Sequence, residues 1–261
     1  MPVREPTTAL SFTDVRVQVR GRELLALASL QVELRAGSVL GVVGANGSGK
    51  TTLLNTLGGF LRQSSGTISL LGKVVDRLPP WRRFKLGVGR LWQDLRLFDD
   101  VGSIDNVALA IRASADERLW SALLKPKQLA RRDLDAAKAA ESVLGRLDVR
   151  HDWHTPVANL SDGQRKWVAL ARATAVRRDL VFLDEPASGL DAVGRATAER
   201  FILDLRGEGA AVVVVEHDLS FLSRVADEVL HLDQGTCAAY GGAPEVLRRL
   251  LPRSPSRPGL E

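Results

Sequence analysis

Gly44, Ala45, Asn46, Gly47, Ser48, Gly49, Lys50 and Thr51 stand in the order G-x-x-x-x-G-K-[ST]. A short apolar run at residues 38–43 precedes them. Leu53, Leu54, Leu57, Phe60 and Leu61 follow at helical spacing, so the pattern predicts strand, loop and helix in that order. Glycine here lets the chain curl until several backbone N–H groups face one phosphate, and the helix N-terminus adds a favourable dipole. Lys50 then reaches the β- and γ-phosphates of a nucleotide, and the Thr51 hydroxyl suits a Mg²⁺ ion. Thr52, next along the helix, is assigned to the same nucleotide site.

Residues 180–183 form an apolar run that ends in Asp184 and Glu185. A carboxylate at a strand end can hold Mg²⁺ directly or through water, and its neighbour can accept a proton from an attacking water. Alone, the pair reads equally well as strand-end acids facing solvent; beside a phosphate loop it assigns Asp184 to the metal and Glu185 to catalysis. His217 follows the apolar run at 211–215. The carboxyl end of a parallel strand is where ligands bind in open α/β sheets, so His217 is expected within reach of a γ-phosphate. Gln93 stands where the strand-forming part gives way to a helical stretch; in isolation it reads as an ordinary polar boundary residue, but a glutamine there can touch both Mg²⁺ and a moving neighbour.

Ser161 and Gln164 are spaced as a capping box, with Asp162 suited to the first helical turn and Gly163 between them. The same exposed helix start could also grip a phosphate from another subunit, and residues 160–164 alone do not decide between the two readings. His151, Asp152 and His154 match no metal-site spacing and read as a surface turn.

These residues need elements to position them. Residues 10–40 alternate apolar and polar side chains and read as two or three antiparallel strands, with turns at Arg20, Gly21 and at Ala36, Gly37. The helix after the phosphate loop is expected to run to about Gln63, with another strand at residues 67–71. From about 94 to 160 strand patterns vanish. Leu134, Ala137, Leu144 and Leu147 mark one amphipathic helix there, and residues 106–111 and 117–124 suggest others. Continuous apolar runs at 180–183 and 211–215 suit strands buried on both faces of a parallel sheet, alternating with helices near 195–206 and 218–226. A hairpin at 229–232 and 236–240 closes the core, and Pro244 can open a last helix. The proline-rich end is expected to be disordered.

The 261 residues suffice for one large α/β domain with an insert, and 45% hydrophobic with 26% charged residues is a globular composition. The single cysteine, Cys237, allows no intrachain disulfide and suits a reducing cytoplasm. Residues 1–10 lack the apolar core of a signal peptide, and no apolar run approaches the roughly 18 residues of a spanning helix. The net charge of +5 admits an anionic partner, but the charges are mostly interleaved; the densest basic stretch is 77–96.

In this order and spacing the motifs resemble the ATP-binding-cassette (ABC) ATPases: phosphate loop at 44–51, Q-loop Gln93, signature at 160–164, Walker B at 180–184 with Glu185, D-loop Ser188, Gly189, Leu190 and Asp191, and switch His217. The likeness implies an α/β P-loop NTPase with a RecA-like, mostly parallel core, an N-terminal antiparallel β-subdomain and a helical insert. It implies a single ABC ATPase domain over 10–245, with core segments 10–93 and 161–245 and helical subdomain about 94–160; residues 246–261 then hold a helix end and the tail. It further implies ATP and Mg²⁺ as ligands and a head-to-tail dimer with a second ABC subunit. In that dimer Ser161, Gly163 and Gln164 meet the partner's ATP and Asp191 links the two sites.

Residues 89–98 with 104–107, and 215–221, look like the corresponding regions of ATPases serving branched-chain amino-acid importers, with urea-type importers and a lipopolysaccharide-export ATPase sharing parts of the pattern. That implies integral membrane permease subunits, an extracytoplasmic solute-binding protein, a place on the cytoplasmic face of the cell membrane and no nucleic-acid partner. Three positions depart from the family's pattern. Val19 or Arg20 stands where an aromatic usually stacks on adenine, Ala45 replaces a common proline, and Asp162 occupies a signature glycine position. Two rivals are a nucleotide-sensing subunit with little turnover, which Val19 and Asp162 favour and Glu185 and His217 oppose, and a soluble cassette acting on nucleic acid or ribosomes. The second is opposed by the single phosphate loop and by the short interval between it and the signature.

Overall fold

Alternation of buried and exposed residues along β1 (Thr8–Val19) makes it the axis of an antiparallel sheet. Leu10, Phe12, Val15 and Val17 point inward. β1 pairs with β2 (Arg22–Ala26) and β3 (Gln31–Arg35), and with β5 (Ser65–Leu70), which is followed by the short β6 (Lys73–Val74). Arg20 (φ 51°) and Gly21 (φ 77°) both lie in the left-handed region, as a two-residue hairpin requires. The computed structural model describes residues 7–114, 126–147, 152–176 and 178–251.

A second sheet is mostly parallel, in the order β11-β10-β4-β9-β8-β7. Its strands are β4 (Val39–Val43), β7 (Val88–Leu91), β8 (Leu180–Asp184), β9 (Ala211–Val215), β10 (Glu228–Asp233) and the antiparallel edge β11 (Thr236–Gly242). Every residue of β4, β8 and β9 is buried. Alternate residues feed two cores. Leu40, Val42, Phe182, Val213 and Val215 face the antiparallel sheet and α1 (Lys50–Leu57), whereas Val39, Val43, Leu183, Val212 and Val214 face the other side. There they meet α6 (Ala192–Gly207), α7 (Leu219–Val225) and α8 (Ala243–Leu250), together with a helical segment. That segment comprises α3 (Ser103–Ser114) and α4 (Pro126–Arg146), with α3 and α4 packed on each other and both against α5 (Asp162–Thr174). α5 in turn packs on β7.

The structure corrects several sequence expectations. The helix after the phosphate loop ends at Leu57, not near Gln63, because Gly58 caps it and Gly59 (φ 82°) turns the chain away. Phe60 therefore leaves the helix face and stands 48% exposed, edge-on to Trp92 with ring centroids 4.5 Å apart. In α4 the buried stripe is Ala136, Ala140 and Leu144, with Leu147 just beyond the helix, while Leu134 is exposed. β7 and α2 (Pro80–Lys85) were not foreseen. The glycines at 87 and 89 hide the strand; a Cβ at Gly89 would lie 2.6 Å from the Ala173 carbonyl oxygen, so the end of α5 can approach only because this residue is glycine. The helix expected at 117–124 and the tail from 252 lie outside the described residues.

Arg83, 2% exposed, fastens α1 to its surroundings. Its guanidinium donates to the carbonyl oxygens of Thr56 (2.9 Å) and Leu57 (2.6 Å) at the end of α1, and to those of Leu78 (3.0 Å) and Val75 (2.8 Å). An Arg83→Met variant removes the side-chain donor from all four carbonyl oxygens, of which those of Thr56 and Val75 keep a backbone donor in Gly59 N–H (3.1 Å) and Leu78 N–H (2.8 Å). It is expected to lose about 3 kcal/mol of stability, read as a fall in Tm of about 5–10 °C by circular dichroism; a shift under about 2 °C contradicts the role.

Candidate nucleotide site

Parallel register brings the motif residues to one edge of the sheet. Asp184 pairs with Val215, Leu183 with Leu91, and Val42 with Val215, so β4, β7, β8 and β9 all end at the same level. The phosphate loop leaves β4, Gln93 follows β7, Asp184 and Glu185 close β8, and Glu216 and His217 follow β9. This is the carboxyl edge of an open α/β sheet, where ligands bind.

The loop is closely determined. Gly47 (φ 79°) and Gly49 (φ 103°), the N-cap of α1, hold left-handed backbone. A Cβ on Gly44 would run into the Leu232 carbonyl oxygen and the Ser48 hydroxyl, whereas one on Gly47 would meet nothing within 4 Å. Ser48 Oγ is buried without a hydrogen-bond partner. Lys50 is buried and folds back on the loop, its Nζ donating to the carbonyl oxygens of Gly44 (2.7 Å) and Ala45 (2.9 Å). Burial lowers its pKa, while Glu185 and Asp184 act in the opposite sense. Thr51 is exposed and Thr52 half-buried in the first turn of α1.

Asp184 is 4% exposed, and burial raises its pKa against the pull of Arg90, whose Nη2 lies 4.0 Å from Oδ2. Glu185 is held at φ 52°, a backbone conformation rare outside glycine and concentrated at functional sites. Its Oε1 lies 3.1 Å from Nε2 of His217. Gln93 is exposed. Both carboxylates favour the charged form of Lys50, and Glu185 lies within hydrogen-bond reach of His217.

The remaining motif residues make local caps. Ser161 and Gln164 form the capping box: Gln164 N–H donates to Ser161 Oγ (3.3 Å) and Ser161 N–H to Gln164 Oε1 (2.9 Å). Asp162 is the first residue of α5 and exposed. No hydrogen bond among the described residues joins this helix start to the phosphate loop. Asp191 caps α6 through Gly194 N–H (2.7 Å). Val19 ends β1, 38% exposed, beside the hairpin turn. Asp152 accepts the backbone N–H of His154 (3.0 Å), and His151 lies outside the described residues.

Two further residues here were given no role from the sequence. Glu216 is 3% exposed; its Oε1 accepts Ala187 N–H (2.8 Å) and its Oε2 accepts His217 N–H (3.3 Å). An acid directly after an all-apolar strand was the available cue. Lys166 on α5 donates to the Glu185 carbonyl (3.0 Å) and the Ser188 carbonyl, and nothing in an amphipathic helix pattern singles it out.

A cavity of about 450 Å³ lies away from the phosphate loop, walled by Phe60, Trp92, Phe98 and Leu109 among others. Trp92 is sandwiched between the guanidinium groups of Arg90 (3.7 Å) and Arg96 (3.9 Å). Asn106, fully buried, fixes Phe98 by accepting its N–H (2.9 Å) and donating to its carbonyl (3.0 Å).

Two substitutions separate shape from strain in the loop. Gly44→Ala forces atoms together and is expected to weaken ATP binding more than ~100-fold, about 3 kcal/mol. Gly47→Ala meets open space and costs only the left-handed backbone penalty of about 1–2 kcal/mol. Titration with a fluorescent ATP analogue measures both, and equal losses would contradict the steric account.

Comparison with known proteins agrees with this fold. The ABC transporter family matches residues 27–188. The high-affinity branched-chain amino acid transport ATP-binding protein LivG of Salmonella typhimurium is 31% identical over 226 residues, 86% of this chain and 88% of the relative. BraF of Pseudomonas aeruginosa, described in the same words, is 29% identical over the same shares. Among solved structures, an ATP-binding cassette of an ABC transporter in its ADP conformation superposes with a TM-score of 0.77 at 21% identity, covering 93% and 94% of the two chains. A dimeric cassette in a post-hydrolysis state with ADP and Pi gives 0.76 at 20% identity, over 90% and 98%. These likenesses share the fold described above. With its phosphate loop, strand-end carboxylates and capped signature helix in the family's order, the chain belongs to the ABC transporter ATP-binding proteins and is an ATPase of that family.

Proposed function

We propose that this chain binds MgATP at residues 44–52 and hydrolyses it to power import of branched-chain amino acids, or a related polar solute, through a separate permease. The observation that carries the catalytic part is the Glu185 carboxylate, 3.1 Å from His217 just after β8. The names and identities of the LivG and BraF relatives support the solute class.

The residues fit the ligands. The buried, unpartnered Ser48 hydroxyl and the loop N–H groups offer donors for phosphate oxygens. Asp184, Thr51 and Gln93 offer the hard oxygen ligands that suit Mg²⁺, which neutralises charge on the β- and γ-oxygens when bound. On ATP binding Lys50 exchanges the Gly44 and Ala45 carbonyls for the β- and γ-phosphates. Glu185 accepts a proton from a water as that water's oxygen bonds to the γ-phosphorus. The bond from the γ-phosphorus to the β-bridging oxygen breaks, leaving ADP and phosphate. His217 orients Glu185 through its Nε2 and reaches the γ-phosphate. Val19 and Arg20 form the adenine edge, with Arg20 offering a cation to the base.

The likeness to a dimeric cassette with ADP and Pi supports a head-to-tail dimer with a like subunit. There Ser161, Gly163 and Gln164 meet the partner's γ-phosphate and Asp191 joins the two sites. Gly163 suits that role because a Cβ on it would meet only the Leu190 side chain, at 3.6 Å, so its own chain does not require a glycine there. The cavity walled by Phe60, Trp92, Phe98 and Leu109 is assigned to the permease, beside Gln93. No helix among the described residues is long and apolar enough to cross a membrane, which agrees with a separate permease. An extracytoplasmic solute-binding protein completes the proposed importer.

Glu185→Gln keeps the shape of the site and removes the proton acceptor. Its ATP affinity is expected to stay within about twofold of wild type while phosphate release falls at least ~100-fold; undiminished turnover sinks the general-base role. Phe98→Glu places a charge in the groove. It should abolish co-purification with membrane subunits and leave ATP binding unchanged, and retained co-purification would remove the groove from the permease interface.

A further inference from the structure

The turn that follows Glu185 is gripped from two directions. From α5, the Lys166 ammonium donates to the carbonyl oxygens of Glu185 (3.0 Å) and Ser188. From the end of β9, Glu216 accepts the N–H of Ala187 (2.8 Å) between them. Glu216, 3% exposed, and the Lys166 ammonium attract each other across the turn. The Glu185 carbonyl also accepts Ser188 N–H (3.3 Å), and Glu185 N–H donates to Val215 O (2.9 Å). Glu185 itself sits at φ 52°, a conformation that an ordinary residue keeps only where its surroundings over-determine it. The Glu185 carbonyl and side chain branch from one Cα, so the group that holds that carbonyl also holds the Cα from which the acid projects.

We propose that Lys166 is a positioning residue for ATP hydrolysis: by holding the carbonyls of Glu185 and Ser188 it aims the Glu185 carboxylate and ties that aim to the seating of the signature helix on the core. α5 begins at the Ser161 cap, proposed above to face the partner's ATP, and packs on α3, α4 and β7. A shift of α5 on the core therefore pulls directly on the turn that carries Glu185 in the same chain. Glu216 is the fixed jaw of this clamp, because it belongs to the end of a fully buried strand. Lys166 is the jaw that moves with the helical segment. The inference rests on Glu185 being the proton acceptor.

Lys166→Met keeps the apolar length and removes the ammonium. Its kcat is expected to fall about tenfold or more with KM for ATP within about twofold, the pattern of a lost transition-state arrangement rather than lost binding. In the Glu185→Gln background the same substitution should cost nothing further, because its effect passes through Glu185. Lys166→Arg, which restores a cation, should recover part of the rate. Thermal unfolding of each variant accompanies the kinetics, since a purely structural role lowers Tm without this non-additivity. Wild-type kcat in Lys166→Met, or an equal loss in both backgrounds, overturns the inference while leaving Glu185 as the base. Full turnover in Glu185→Gln overturns the base and the inference together.

Discussion

Parallel pairing of β4, β9, β8 and β7 is the constraint from which the site follows. Parallel strands pair in one direction, so their carboxyl ends share an edge, and the register Asp184↔Val215 and Val42↔Val215 leaves no freedom in how far each protrudes. Burial on both faces makes that register costly to change. A one-residue slip would exchange the two sets of side chains between the cores that contain Val42 and Val43. The phosphate loop, the acidic pair and His217 are brought to one edge by this packing, and there the Glu185 carboxylate meets His217 at 3.1 Å.

Around that edge the chain leaves regular structure, and backbone carbonyls need donors that the sheet does not supply. Long cationic side chains provide them. Arg83 serves the end of α1, Arg172 the carbonyls of Leu95 (2.7 Å) and Arg96 (2.6 Å), Lys50 those of Gly44 and Ala45, and Lys166 those of Glu185 and Ser188. This gives the basic excess a structural meaning. Within the dense stretch 77–96, Arg83 is buried and Arg90 is turned toward Asp184 and Asn55, so the stretch is not a continuous basic face. The carbonyl contacts made by Lys50 are the proposed resting arrangement, exchanged for phosphate when ATP binds.

The groove and the site share walls. Arg90 lies against Trp92 on one side and near Asp184 on the other, and Arg172 of α5 holds the chain just after Gln93. The helical segment thus touches the loop that follows β7 through Arg172 and the turn that follows β8 through Lys166. One helix, α5, connects the proposed permease face, the proposed partner face and the turn that carries the proposed base Glu185.

Local chemistry settled much of this protein in advance. The loop at 44–51 is legible because backbone phosphate binding demands glycines and a lysine at fixed intervals, and the capping box at Ser161 and Gln164 because its partners lie three residues apart. β8 and β9 are legible because two-sided burial leaves an unbroken apolar run. What stayed hidden depends on contacts between distant residues. β7 is disguised by Gly89, whose smallness answers to Ala173, and α1 stops early at Gly58 and Gly59 so that Phe60 can turn to Trp92. Lys166 and Glu216 find their roles at residues 185–188, which neither adjoins in sequence. The sequence by itself determined the loop, strand and cap patterns, and with them which groups are candidates to bind and cleave a phosphate. Only the tertiary structure decided how they are aimed, because the aiming contacts run between α5, β8 and β9, and periodicity along one segment carries no record of what a different segment places against it.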